Sequence, residues 1–341
     1  MTKCWVGYSY RRDKEVLQPY AFLALKIYGA FIIHHSVHST TKRKEKHMRK
    51  RLVIPALVAI TVLALTGCVN NATTTGAATT AAAVGVDSAA AALLPAAIAK
   101  SGVLSIGVDA TYPPNEFKDA DGKPIGWDIE IANAVAAKLG LKPEYQIAQF
   151  ANIIPSVVGN KVNVGVSSFT DTVEREKQVD FVNYYQAGIM WASAKGKTVD
   201  PNNACGLKVA VQATTYEDTD EVPAKSAACV AAGKAPIEKL PFDTQDAATN
   251  AVALGQADAL SADSPVTMAA IKANSKLQAA GVSFEVAPYG IAVSKTGGLG
   301  KAIQAALQSM VDDGSYMAIL DNWGVADGAI KTITINAAAK G

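Results

Sequence analysis

From about Leu94 onward, short apolar runs alternate with apolar positions at helical spacing. Residues 104–108 read as a strand, and Ile129, Ala132, Val135, Ala136 and Leu139 repeat with a helical period that Gly140 closes. A strand at 145–147, a helix at 153–158 and a strand at 162–166 follow. Alternation of this kind predicts a mostly parallel sheet with helices on both faces, and such sheets bind ligands beyond the carboxyl ends of their strands. A second series begins after Lys195: a strand at 207–211 ending in Gln212-Ala213-Thr214-Thr215-Tyr216, a helix at 247–254, and a strand at 257–260 ending in Ser261-Ala262-Asp263. Each strand stops in polar residues that a ligand could reach. A strand at 289–293 and a helix at 299–311 read as a return to the first unit. The pattern predicts an α/β protein of two lobes, residues 94–193 plus 287–341 and residues 194–286. Two strands would join them, crossing near Ser193 and near Val286, with a cleft between the lobes.

The stretch 162–177, VNVGVSSFTDTVEREK, concentrates the candidate chemistry. A buried strand leads into a turn of small hydroxylated residues, Ser167, Ser168 and Thr170, and then a helix with Arg175 in its first turn. Unpaired helix N–H groups, hydroxyls and a guanidinium would converge there and hold an anion. The alternative is a plain strand-turn-helix corner with Thr172 as N-cap and Arg175 in a surface ion pair.

Charge favours the first reading. The whole chain carries +2, but from residue 68 onward 27 Asp and Glu face 20 Lys and Arg. Among those 20 cations Arg175 is the sole arginine, and its planar fork suits bidentate binding of a carboxylate. All four histidines (His34, His35, His38, His47) lie upstream, so a Ser–His pair on Ser167 or Ser168 and a histidine-based zinc site are excluded. No metal and no cofactor are expected, and the acidic body argues against nucleic acid. The Gly-rich 297–301 has Ala302 where a phosphate loop needs Ser or Thr.

Residues 1–47 read as an extension outside any domain, with Met48 as the expected start. Residues 48–67 have the form of an export signal: Arg49, Lys50 and Arg51, then an apolar run at 52–65 too short to span a bilayer. The ending Leu65-Thr66-Gly67-Cys68 resembles the bacterial lipobox, which implies lipidation at Cys68; the alternative is an ordinary signal peptide cleaved nearby. Residues 68–93, rich in Thr and Ala, read as a flexible tether. In an exported chain Cys205 and Cys229 read as a disulfide, with two separate thiols as the alternative.

The series LSIGVDATYPPNEF (104–117), GWDIEIA (126–132), IIPSVVGNKVNVGVSSFTDTVER (153–175), VAVQATTYED (209–218) and DALSADSP (258–265) resembles the family 3 solute-binding proteins of bacterial ABC importers. The resemblance covers nearly everything from Leu94 on and implies the two-lobed periplasmic-binding-protein fold. It further implies that Arg175 clamps the α-carboxylate of an amino acid, with Thr170 and the backbone at Ser168 and Thr215 assisting. Asp263 would accept the α-ammonium, or cap a helix ahead of Ser264-Pro265. Tyr112 would cover the ligand, or pack in its loop, and Asp109 would face the ligand side chain, or bond locally in its turn. Asn115 stands where many members carry an aromatic, and Tyr216 would help read the side chain. Trp191 either lines the pocket or belongs to the core. The implied partners are an L-amino acid of polar or basic type, a permease and an ATPase, with the protein monomeric, lipid-anchored and outside the cell membrane. A periplasmic dehydratase-like enzyme and a tethered sensor lobe are the alternatives.

Overall fold

The computed structural model describes residues 84–338. The expected leader and Cys68 lie outside the described residues, as do 339–341. Twelve strands form among the described residues: β1 (Val103–Val108), β2 (Thr111–Tyr112), β3 (Glu116–Lys118), β4 (Pro124–Ile125), β5 (Lys142–Ile147), β6 (Val164–Thr170), β7 (Asp180–Ala194), β8 (Lys208–Gln212), β9 (Glu238–Phe242), β10 (Ala259–Asp263), β11 (Leu277–Val293) and β12 (Thr334–Ile335). The main sheet runs β5-β1-β6-β11-β7-β10-β8-β9, with β12 on β7, and β2-β3-β4 make a small separate sheet.

Two long strands give this sheet its two lobes. The C-terminal half of β11 pairs with β6 and the N-terminal half of β7, while the other halves of both strands lie beside β10 or against each other in the second lobe. Around them β1 is parallel to β5 and β6, and β8 is parallel to β9 and β10. The β7–β11 ladder loses register between Ala280 and Phe284 and again between Phe284 and Ala287. There Glu285 has a φ of 50° and Gly188 approaches so closely that a Cβ would lie 2.3 Å from Ser283 Oγ. The crossing on β11 thus falls at Val286. On β7 it falls near Gly188 rather than at 193, because Ile189 to Ser193 are already laddered to β10. That is a correction to the lobe boundary: one continuous strand serves both lobes, and no loop marks the passage.

Each lobe is filled from both faces of its sheet. In lobe 1, Leu104, Ile106, Val164 and Val166 face helices Trp127–Lys138 and Leu299–Asp312, and Phe169 and Ala292 face helix Ile153–Val158. A Cβ on Gly165 would lie 2.7 Å from Ile153, so glycine there lets that helix sit on the sheet. In lobe 2 the alternation on β8 sends Val209 and Val211 towards helix Val222–Ala231 and Ala210 towards helix Gln245–Ala253. Cys205 and Cys229 are bonded, tying that helix to the chain entering β8 across a separation of 24 residues.

Two further expectations need correction. The tether assigned to 68–93 is folded from Asp87 on: the Asp87 carboxylate caps helix Ser88–Ala91, its N–H donates to the Lys138 carbonyl at 2.8 Å, and Ala90 is buried in the lobe 1 core. Alanines that look like linker in sequence suffice to pack against a preformed helix face. The hydroxylated turn after Val166 is strand, since β6 continues through Thr170, fully buried along its length. No helix among the described residues is long and apolar enough to cross a membrane.

Candidate functional site

One cavity lies where the strand ends of the two lobes meet, lined by Asp109, Tyr112, Glu116, Phe150, Ser167, Ser168, Thr170, Arg175, Gln212, Thr215, Tyr216, Glu217 and Asp263. The topology explains the convergence. β1 and β6 deliver Asp109, Ser167, Ser168 and Thr170 from one side; β8 and β10 deliver Gln212 and Asp263 from the other.

The lobes are drawn together by three side-chain bridges. Tyr112 Oη donates to Asp263 Oδ2 at 2.7 Å, Gln212 Nε2 donates to Asp109 Oδ2 at 2.9 Å, and an Arg175 guanidinium nitrogen donates to the Thr214 carbonyl at 2.9 Å.

Arg175 lies in a one-turn helix, Val173–Glu176, capped by Thr172, whose Oγ1 accepts from the Arg175 N–H at 3.2 Å. So short a helix offers little dipole, and its guanidinium does the work instead. One nitrogen donates to the Thr170 carbonyl at 2.7 Å, and the fork lies 5.5 Å from the Phe150 ring centroid and 5.9 Å from that of Phe169. Among the described residues Arg175 makes no salt bridge; every ion pair there is formed by lysine. The surface ion pair weighed as an alternative is therefore not formed; the guanidinium donates to carbonyls and lies against two ring faces.

Four carboxylates share the cavity with that one guanidinium. Asp109 accepts from Thr111 Oγ1 at 2.8 Å, the Phe150 N–H at 2.9 Å and Gln212 Nε2, and burial nevertheless raises its pKa against these bonds. Glu116 accepts from the hydroxyls of Ser167 at 3.1 Å and Ser168 at 3.0 Å; burial, and then the nearby Asp128 charge, push its pKa well up. Asp263 sits at about 6, raised by burial and restrained by the Tyr112 hydroxyl and the Arg175 charge. Glu217 is pushed well up by burial first and the Asp263 charge second.

Ten of the twelve residues singled out in sequence as ligand contacts line the cavity; Asn115 and Thr214 do not. Asn115 is fully buried behind the wall, where its Nδ2 donates to Ser168 Oγ at 2.9 Å and its Oδ1 accepts from Trp127 Nε1 at 2.8 Å. It holds Ser168, which has a φ of 49°, while the Ser168 N–H turns to Asp128 Oδ2 at 2.9 Å. Thr214 is exposed with a φ of 64° and contributes its carbonyl, not its side chain. Trp191 is core: it is fully buried and its Nε1 donates to Glu221 Oε1 at 3.1 Å. Sequence reasoning missed Glu116, Phe150 and Glu217.

Known proteins share this fold. The model of the bacterial extracellular solute-binding proteins, family 3, matches residues 104–326. The chain belongs to that family. It is 42% identical over 248 residues to an arginine-binding protein of Corynebacterium glutamicum, an alignment spanning 72% of this chain and 82% of that one. It is 32% identical over 214 residues to an ABC transporter glutamine-binding protein of Bacillus subtilis, spanning 60% of this chain and 74% of the relative. Among solved structures, an ancestral arginine-binding protein bound to arginine superposes with a TM-score of 0.60 at 35% identity, covering 65% of this chain and 98% of that one.

Proposed function

We propose that this protein captures an L-amino acid with a cationic side chain, arginine foremost, between its lobes and delivers it to the permease of an ABC importer. The observation that carries the reading is the charge layout of the cavity: one guanidinium free of any ion pair among the described residues, facing four carboxylates. The ligand α-carboxylate takes Arg175, with the hydroxyl of Thr170 and the N–H group at Thr215 as further donors, the Ser168 N–H being taken by Asp128. Burial pushes Glu116 and Glu217 towards their neutral forms, yet Asp109 and Asp263 still outnumber the one guanidinium, an excess that a zwitterion with a neutral side chain leaves in place. A ligand carrying both an ammonium and a guanidinium offsets more of it. Asp263 accepts the ammonium, Tyr112 covers the ligand, and Asp109, with Gln212 and Tyr216 beside it, serves the side chain. Charge-assisted bonds in a site closed to water are strong enough to convert binding into lobe closure. The 42% identical arginine-binding relative supports the choice of side chain.

On the same reading the chain is exported through the signal at 48–67, anchored by lipid at Cys68 and monomeric, with a permease and an ATPase as its partners. It acts as a binding protein, not as an enzyme. Arg175→Ala tests the central assignment: arginine affinity should fall at least a hundredfold in calorimetry while the far-ultraviolet spectrum stays unchanged. Undiminished affinity in that variant overturns the proposal.

A further inference from the structure

Glu217 is 1% exposed, lines the cavity, and its Oε1 has no hydrogen-bond partner among the described residues. Its place in the sequence Thr214-Thr215-Tyr216-Glu217 has the spacing of a capping box, in which the glutamate would reach back to a backbone N–H. That task is already taken. The Thr214 N–H donates to Asp218 Oδ2 at 2.8 Å, and the Asp218 N–H donates to Thr215 Oγ1 at 3.3 Å. The other three cavity carboxylates are supplied with donors: Asp109 by three, Glu116 by two hydroxyls and Asp263 by Tyr112. No lysine or arginine lies within ion-pair distance of Glu217 among the described residues. A buried carboxyl oxygen left without a partner is costly to keep and is held where a donor arrives to meet it.

The groups that face Glu217 locate that cation. They are Asp263 at the end of β10, Glu221 on its own helix, Tyr112 of lobe 1, Tyr289 of β11 and the Arg175 guanidinium. Among them Arg175 is assigned to the α-carboxylate and Asp263 to the α-ammonium, and both line the cavity with Glu217, so Glu217 stands at the backbone end of the ligand. We propose that Glu217 is a second anionic receptor for the α-ammonium of the captured amino acid, closing on it together with Asp263.

A proton balance follows. Before the ligand enters, burial and the neighbouring Asp263 raise the Glu217 pKa and so favour its protonated form. When the ammonium docks, the carboxyl O–H breaks, the carboxylate accepts an N–H of the ammonium, and the proton passes to solvent. Capture is therefore accompanied by net release of protons.

The inference rests on the amino-acid-binding reading above, and one experiment separates the two. L-Arginine is titrated calorimetrically at pH 7 into the wild-type protein and Glu217→Gln, in phosphate and in Tris, whose different ionisation enthalpies count the protons released. 5-Guanidinopentanoic acid, which is arginine without its ammonium, is titrated in parallel. Glu217→Gln should bind arginine 10- to 100-fold more weakly, as for loss of a hydrogen bond to a charged group. It should release markedly fewer protons and bind the deaminated analogue as the wild type does. Glu217→Asp keeps the charge, should retain the proton release, and serves if the glutamine variant does not fold. Equal affinity and equal proton release in wild type and variants overturn the inference while leaving the function intact. Equal weakening of arginine and its analogue moves Glu217 to the side-chain guanidinium and also overturns it. Failure of the wild type to bind arginine at all overturns the proposed function, and this inference with it.

Discussion

Replacing Asp263 by asparagine should stabilise the unliganded protein while destroying its capture of ligand. Asp263 is buried, and its pKa is about 6 in the fold against an ordinary value of 3.8. The folded state thus holds this proton more tightly than the unfolded chain does. The sign follows directly: the stability linked to this group is fully present below about pH 4 and is lost as pH rises through 6. Each tenfold difference in proton affinity corresponds to about 1.4 kcal/mol, so the loss by pH 7 amounts to about 3 kcal/mol. Asparagine has nearly the same shape, never ionises, and keeps an oxygen to accept from Tyr112 Oη. In a domain of this size about 3 kcal/mol corresponds to a rise in Tm of about 6 to 12 °C. Thermal unfolding of both forms at pH 7 and pH 4, without ligand, is the assay. The variant should gain at pH 7, the gain should shrink towards zero at pH 4, and arginine should no longer shift its Tm. A variant less stable than wild type at pH 7, or a gain unchanged at pH 4, refutes the reasoning.

Other buried acids push in the same direction. Asp128 and Asp171 at about 6 and Glu221 at about 7 are all raised chiefly by burial, so urea unfolding of the unliganded wild type should show stability falling as pH rises from 5 to 8; stability that climbs over that interval contradicts it. Cys205→Ser with Cys229→Ser removes a loop constraint across 24 residues, worth about 3 to 4 kcal/mol on the chain-entropy estimate. Denaturant midpoints should drop accordingly with arginine affinity unchanged, because both sulfurs lie away from the cavity lining. Gly188→Ala places a Cβ 2.3 Å from Ser283 Oγ and 2.8 Å from the Phe284 carbonyl oxygen at the strand crossing. The hinge should be forced apart, and arginine affinity should fall without loss of secondary structure; unaltered affinity would mean the crossing does not govern closure.

The fold was legible because its strands end in polar residues at the same edge. Gln212 and Ser261-Ala262-Asp263 could be placed at a binding edge before any coordinate, and so could Arg175, since it is the one arginine after residue 68. The lobe boundary on β7 was not legible. An unbroken strand from Asp180 to Ala194 gives no turn residue at the crossing except Gly188, whose role depends on a partner strand about 95 residues away. Glu217 was hidden by its neighbours. It opens the acidic run Glu217-Asp218-Thr219-Asp220-Glu221, which reads as a solvated helix start, yet Glu217 and Glu221 point inward while Thr219 and Asp220 face water. Only burial separates them, and the spacing of four along a helix was the signal available. Glu116 was hidden between Asn115 and Phe117 in a segment whose interest lay in Tyr112. Asn115 was over-read for a related reason: its amide faces the cavity wall from behind, holding Ser168 and Trp127.

The most direct test of the account is a calorimetric titration of the folded body with L-arginine, L-glutamine and agmatine. Agmatine keeps the guanidinium and an ammonium but lacks the carboxylate. Arginine should bind at micromolar Kd or tighter, glutamine more weakly, and agmatine not measurably, because Arg175 then has nothing to clamp. Agmatine binding as tightly as arginine, or no heat with any of the three, would contradict it.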